Sequence, residues 1–329
     1  MTDIRGKRIL VIGGAGFIGS HVVDELLGED VGQVTVYDNF CRGSMENLEQ
    51  AARDPRFRVF ETGGDILQTD VLSAAVKEHQ MVIHLAALWL LQCYDFPRSA
   101  FDVNIRGTFN VLEACRDHRI ERLVYSSSAS VYGDAVELPM TEEHPFNNRT
   151  FYGATKIAGE AMARAFNDRN SLPYVGLRYM NVYGARQDYK GTYIAVIMKM
   201  LDRIDQGLPP ILYGDGSQAY DFIYVSDCAR ANVCALKADA VDQFYNVGSG
   251  TRTSLRELAE RILKVTGSSL PIHYEPAGKT FVTNRIGSTK KAEREISFRT
   301  TVDLDEGLER LIEWRDAHKE LVATRAAAV

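Results

Sequence analysis

Paired cysteines, surplus positive charge and long apolar runs are what this 329-residue chain lacks, and each lack removes a class of protein. Its five cysteines, Cys41, Cys93, Cys115, Cys228 and Cys234, are odd in number and form no CxxC pair. That argues against a disulfide framework and a metal cluster, and it fits a reducing compartment. No run of about 18 apolar residues is present to span a bilayer. The opening MTDIRGKRILVIGG passes from a short polar leader straight into an apolar strand, without the pattern of a signal peptide. A cytoplasmic protein with no membrane partner is expected. Lys and Arg number 38 against 44 Asp and Glu, a net charge of −6. Phosphate backbones recruit basic surfaces, so nucleic acid is not an expected partner.

What is present is alternation. Hydrophobic residues make up 45% of the chain, enough for a sizeable core. Short apolar runs at 8–13, 33–38, 57–65 (with its following loop), 81–87, 121–128 and 174–181 read as strands. Helical patterns separate them at 19–27, 101–117 and 152–167. Repeated strand–helix units imply right-handed crossovers and a parallel sheet covered on both faces. The later part is mixed: helices over 191–207, from Ser254 onward and near the end, with a strand at PPILYGDGSQ. The segment from Asp221 to Gly250 repeats strand–helix–strand, so the chain is expected to rejoin the main sheet at about 222–248. A first domain over 1–180 and an interleaved lobe over 181–329 follow, with ATRAAAV at the end frayed.

Gly13, Gly16 and Gly19 form a GxxGxxG frame between the first strand and its helix. Glycines also serve plain turns, but this spacing allows a tight turn, close backbone approach to a pyrophosphate, and an anion at the helix N-terminus. Asp38 ends the second strand 19 residues beyond Gly19. A carboxylate there accepts from a ribose 2′-hydroxyl and repels a 2′-phosphate, which favours NAD over NADP. Arg42, nearby, is the residue type that hosts a 2′-phosphate.

Tyr152 and Lys156 are four apart and share a helix face. Alone, that spacing describes many solvated helices. After a dinucleotide frame and the serine-rich end of a strand, YSSSASVYG, it suggests chemistry. A phenol has a pKa of about 10, and a neighbouring ammonium together with a nicotinamide cation stabilises its phenolate. Such a tyrosine removes a hydroxyl proton while hydride leaves the same carbon.

The set GGAGFIG, Asp38, HLAA, VNIRGTFNVLEAC, YSSSASVYGD, YGATK, LRYMNVYGARQ and GDGSQAYDFIYV resembles the extended short-chain dehydrogenases/reductases. Within them it is similar to the NAD-dependent nucleotide-sugar epimerase/dehydratase family, typified by UDP-glucose 4-epimerase, over nearly the whole chain. The resemblance implies an α/β fold, a Rossmann-type doubly wound parallel sheet with a smaller mixed α/β substrate-binding lobe. It implies Ser128 as the catalytic hydroxyl, Tyr152 as acid/base, and Lys156 on the nicotinamide ribose. Phe17 and Ile18 in the glycine loop, Asn39, Ser126 and Tyr179 join the expected cofactor wall. Asp65 and Ile66 would sit at adenine, although Asp65 also suits a helix cap. Leu85, Ala86 and Ala87 would line the cofactor, and Asn104 would lie under the nicotinamide. Asn181 would contact the substrate diphosphate. A homodimer through the helices 104–115 and 152–167 is implied as well.

Dehydratases of this family place an Asp–Glu pair just after the catalytic hydroxyl, and its decarboxylases usually a Glu. Here Ala129 and Ser130 stand there. The expected reaction is therefore 4-epimerisation of a nucleotide sugar, a UDP-sugar first. A ketoreductase, dehydrogenase or dehydratase of the same family, and a non-catalytic NAD sensor, are the alternatives. Two departures bear on the sugar. The family's GDGxQxRDF arginine is Tyr220 here, leaving Arg285, helped by Arg186, to carry the phosphate charge. The loop after HLAA is apolar, Leu88-Trp89-Leu90-Leu91, and serves either as packing or as a wall for a modified sugar, with Trp89 in it. Tyr193 and Tyr213 are candidates to flank the base, or equally for core packing.

Overall fold

The computed structural model describes residues 2–187, 195–277 and 282–319. Six strands alternate with helices: β1 (Arg8–Ile12), β2 (Gln33–Tyr37), β3 (Phe57–Val59), β4 (Met81–His84), β5 (Arg122–Ser128) and β6 (Tyr174–Tyr179). Then come β7 (Asn181–Tyr183), β8 (Ile211–Tyr213), β9 (Ala219–Tyr220) and β10 (Phe222–Tyr224), before β11 (Gln243–Val247) returns. The main sheet has seven strands in the order β11-β6-β5-β4-β1-β2-β3. Every neighbouring pair in it is parallel. The chain runs outward from β1 through β2 and β3, then restarts on the other side at β4. That reversal makes the carboxyl ends of β1 and β4 the switch point where such sheets open a crevice.

Alternation along β1 explains the layers. Ile9 and Val11 pack into one core with the helix Phe17–Leu27, while Leu10 and Ile12 pack into the other with Thr69–Lys77 and Thr108–Asp117. Burial on both faces is why these strands read as continuous apolar runs. A third core, around Ile197, Leu201, Leu258, Ile262, Leu308 and Leu311, belongs to the smaller lobe. Its helix Leu255–Val265 starts at a capping box: Ser254 Oγ accepts the Glu257 N–H at 3.2 Å, and Glu257 Oε2 accepts the Ser254 N–H at 2.7 Å.

Three local features differ from the sequence reading. The helix expected over 101–117 begins with a π-wound turn, Phe101–Gly107, before Thr108–Asp117 becomes α-helical. The strand expected over 174–181 breaks at Met180. There the backbone changes partners, the Met180 N–H going to Val247 O at 2.9 Å and the Asn181 N–H to Asp221 O at 3.0 Å. Asn181–Tyr183 thereby pairs with Phe222–Tyr224 in a separate two-stranded sheet, and of the segment 222–248 only β11 joins the main one. The carboxyl-terminal ATRAAAV lies outside the described residues.

One buried ion pair holds the sheet against the helix Phe151–Asn170. Glu160 Oε2 accepts from Arg178 Nη2 at 2.7 Å and Glu160 Oε1 from Arg178 Nε at 2.8 Å, both residues being almost fully buried. Ser127 Oγ donates to the same carboxylate at 2.6 Å, and Arg178 Nη1 donates to Tyr132 Oη at 2.8 Å. Removing one member of such a pair strands the other charge. Glu160→Ala is expected to lower unfolding free energy by about 3–5 kcal/mol in urea denaturation; a loss within the noise of a surface mutation would contradict this.

Candidate active site

The glycine frame folds as a cradle with no room for side chains. Gly13 lies at φ +84, and a Cβ on it would come within 2.7 Å of the Ala86 nitrogen. A Cβ on Gly19 would reach 2.1 Å from the Gly13 carbonyl oxygen, so the helix starting at Phe17 presses directly on the turn. Asp38, at the end of β2, accepts the Ala15 N–H at 2.9 Å and the Phe40 N–H at 2.8 Å. Burial raises its pKa, and backbone bonds from Phe40, Ala15 and Gly16 pull it back down. A carboxylate with about four acceptor positions keeps capacity for a ligand hydroxyl there. The Asp65 side chain caps the following turn at the Leu67 N–H, 2.9 Å away, while its carbonyl accepts from Tyr37 Oη at 2.9 Å.

These residues open into one cleft of about 620 Å³. Gly16, Phe17, Ile18 and Asn39 line it at one end, with Asp65 and Ile66. Leu85, Ala86, Ala87 and Trp89 follow along its wall, then Ser126, Ser128, Tyr152 and Lys156. Tyr179, Asn181, Arg186 and Arg285 complete it.

The reactive end is set by β5 and the helix after it. Ser128 Oγ accepts the Ser130 N–H at 3.1 Å, turning the chain sharply off the sheet. The helix Phe151–Asn170 is capped by Thr150 Oγ1, which accepts the Gly153 N–H at 3.0 Å. A Cβ at Gly153 would stand 2.5 Å from the Ser130 carbonyl, so the helix can seat against the serine turn only with glycine there. That seating puts Tyr152 in hydrogen-bond contact with the Ser128 hydroxyl. Lys156, one turn on, donates to the Ser126 carbonyl at 2.7 Å, with its Nζ 5.8 Å from the Tyr152 ring centroid.

Burial pushes the Tyr152 pKa up to about 12, against the pull of the Ser128 hydrogen bond and the Arg285 charge. Burial pushes Lys156 the other way, down to about 8. Arg285 is itself pressed down to about 10 by burial, and its Nη1 donates to Ser130 Oγ at 3.4 Å. Its strand is pinned by Asp134, which accepts from Thr283 N at 2.9 Å, Thr283 Oγ1 at 2.7 Å and Asn284 N at 2.9 Å. The arginine thus faces the phenol as well as any phosphate, a proximity that sequence spacing over 133 positions does not reveal.

Several expected residues sit elsewhere or are already engaged. Asn104 does not line the cleft. Its amide is spent on the Leu88 backbone, accepting at 2.7 Å and donating at 2.8 Å, and on Thr155 Oγ1 at 3.1 Å. Arg186 reaches the cleft but pairs with Asp24 at 2.7 Å. Tyr220 is absent from the lining, and its hydroxyl donates to the Val282 carbonyl at 2.7 Å. Tyr213 is 54% exposed and also outside the lining. Tyr193 lies outside the described residues. Conversely, Gly43, Asn47, Gln187, Ile197 and Phe222 line the cleft without having been anticipated. Gly43 among them packs so closely that a Cβ would come within 2.7 Å of Ala15.

A glycine cradle at the switch point of a doubly wound parallel sheet defines a dinucleotide-binding α/β enzyme of the Rossmann type. The NAD dependent epimerase/dehydratase family model matches residues 9–248, and the chain belongs to that family. It is 36% identical to the putative UDP-glucose 4-epimerase of Methanocaldococcus jannaschii, over 93% of this chain and 97% of that one. It is 31% identical to a dTDP-glucose 4,6-dehydratase of an Actinoplanes species, over 95% and 98%. Its fold superposes with a TM-score of 0.89 and 32% identity on the UDP-N-acetylglucosamine 4-epimerase of Methanobrevibacter ruminantium, solved with UDP-N-acetylmuramic acid, covering 95% of this chain and 99% of that one.

The depressed lysine has a stability signature. Its folded pKa of about 8 lies below the ordinary lysine value of 10.5, so between those values the unfolded chain holds a proton that the folded one has released. Unfolding free energy therefore rises with pH across that window. Relative to Lys156→Met, the wild type without cofactor is expected to gain stability from pH 8 to pH 10.5, on the order of 3 kcal/mol in all. Urea denaturation of both proteins across the range checks this; a flat or falling difference contradicts it.

Proposed function

We propose that this chain is an NAD-dependent nucleotide-sugar 4-epimerase acting on a UDP-sugar, with Ser128, Tyr152 and Lys156 as its reactive set. The observation that carries the choice of reaction is the distribution of acids. Among the described residues lining the cleft, the carboxylates are Asp38, just after β2, and Asp65, in the loop after β3, whereas the serine turn follows β5 on the other side of β1 and β4. Ala129 and Ser130, next to Ser128, are buried and cannot take a proton from carbon. The dehydratase relative makes this contrast necessary, because overall similarity alone does not separate the two reactions.

The cradle, the Asp38 carboxylate and Lys156 fit NAD, which when bound supplies the hydride acceptor at the sugar C4 and returns the hydride. Tyr152 takes the C4 hydroxyl proton, and Ser128 holds that oxygen in place by hydrogen bonding. Lys156 and the nicotinamide of bound NAD would supply the further positive charge that a phenol still at about 12 beside Arg285 needs before it can act near neutrality. With no carboxylate beside the serine turn among the described residues of the cleft, the ketone has one way out. It turns over in the site and is reduced on its other face, and Tyr152 gives the proton back. Asn181 and Arg285 serve the diphosphate, Arg285 as its cation because Arg186 is held by Asp24. Among the described residues no helix is long and apolar enough to cross a membrane.

Tyr152→Phe is expected to cut turnover about 10²–10⁴-fold while leaving bound NAD in place. Wild-type enzyme should interconvert the C4 epimers of a UDP-sugar with no cofactor added. A stoichiometric requirement for NAD or NADPH, or a dehydrated product, would overturn the assignment.

A homodimer is proposed through the helices after β4 and after β5. Phe101, Phe109 and Phe151 on them stay about 40% exposed, an apolar face left to solvent in a single chain. Sedimentation should give a dimer mass for the wild type and a monomer for Phe109→Glu; a monomeric wild type would refute it.

A further inference from the structure

Two loops flank the glycine cradle, one after β2 and one after β4, and each is tied down at its base. The first is fastened to Ala15: its carbonyl accepts the Ser44 N–H at 3.2 Å and Asn47 Nδ2 at 3.0 Å, and its N–H reaches Asp38. The second is fastened by Asn104, which both donates to and accepts from Leu88. Their tips meet. The Arg42 guanidinium lies 5.2 Å over the Trp89 ring, and Arg42 Nη1 donates to Gln92 Oε1 at 3.1 Å. Arg42 and Trp89 both line the cleft, on the walls that follow β2 and β4, and β1 runs between those strands.

We propose that Arg42 and Trp89, braced by Gln92, form a clasp across the cleft that retains the dinucleotide through turnover. This rests on the NAD reading above. It gives both residues a different task from the ones their sequence context suggested. Arg42 is turned toward an indole and an amide, and Trp89 serves the cofactor side of the cleft. An epimerase needs such retention, because a reduced cofactor that leaves in mid-reaction strands a ketone in the site. A dinucleotide leaving the cradle must part the two tips, so the contact between them acts on the rate of release. Gln92 is the diagnostic residue: it braces Arg42 without lining the cleft itself.

The chain holds two tryptophans, Trp89 and Trp314, so Trp314→Phe leaves Trp89 as sole reporter. Protein loaded with NADH is mixed with excess NAD, and the loss of energy transfer from Trp89 to the dihydronicotinamide is timed. In that background Arg42→Met is expected to speed release about tenfold and Gln92→Leu about threefold, from lost cation–π and hydrogen-bond contacts. Arg42→Lys should recover part of the difference, since it keeps the charge and loses the planar fork. Release at the parent rate in both Arg42→Met and Gln92→Leu overturns the clasp. So does an effect confined to Arg42→Met, which would mean direct contact with the nucleotide. A parent that takes up no NADH at all overturns the NAD reading itself, a different result from either.

Discussion

Everything at the reactive end depends on one helix face lying against one run of serines. Tyr152, Lys156 and Glu160 recur every four residues and share a stripe, and each takes a different partner at the end of β5. Tyr152 meets the Ser128 hydroxyl, Lys156 the Ser126 carbonyl at 2.7 Å, and Glu160 the Ser127 hydroxyl at 2.6 Å. The approach is close enough to exclude side chains: a Cβ on Gly159 would sit 1.9 Å from the Tyr125 hydroxyl. Two glycines in the helix, Gly153 and Gly159, are thus a geometric requirement, accepted despite the cost of glycine in a helix. Glu160, neutralised by Arg178, ties the stripe to β6 and so to the sheet as a whole.

That docking also sets the electrostatics. It buries a phenol and an ammonium together, and burial drives their pKa values apart, up to about 12 and down to about 8. Neither group is poised for neutral pH by the protein alone. Arg285 already pulls on the phenol, so what would close the gap is further positive charge, from Lys156 and from the nicotinamide ring of the bound cofactor. On this account the chemistry and the cofactor are inseparable, which gives retention of the cofactor its importance and the loops bearing Arg42 and Trp89 their role.

Much of this was legible in the sequence because it is local. Apolar runs marked the parallel strands, glycine spacing marked the cradle, and the four-residue spacing marked the Tyr–Lys stripe. The blandness of Ala129 and Ser130 pointed to the reaction. What escaped was set by contacts distant along the chain. Nothing around Asn104 announces that its amide will be spent on Leu88, nor does Arg186 reveal that Asp24 waits 162 positions away. Tyr220 looked like a substitute for a phosphate-binding arginine until its hydroxyl was found on the Val282 carbonyl. The break at Met180 was equally hidden, since it reflects a change of hydrogen-bonding partner, from Val247 to Asp221, with no change in the apolar pattern.

The central claim is that Tyr152 moves only the hydroxyl proton, while the C4 hydrogen would stay with its own carbon overall through the hydride chemistry that bound NAD would supply. Turnover in ordinary water of a UDP-sugar carrying deuterium at C4 tests it directly. Product of inverted configuration that keeps its deuterium at C4 is the predicted result. Washout of that deuterium to solvent would contradict the account, because it would require an acid or base acting on carbon beyond those that the described residues of the cleft provide.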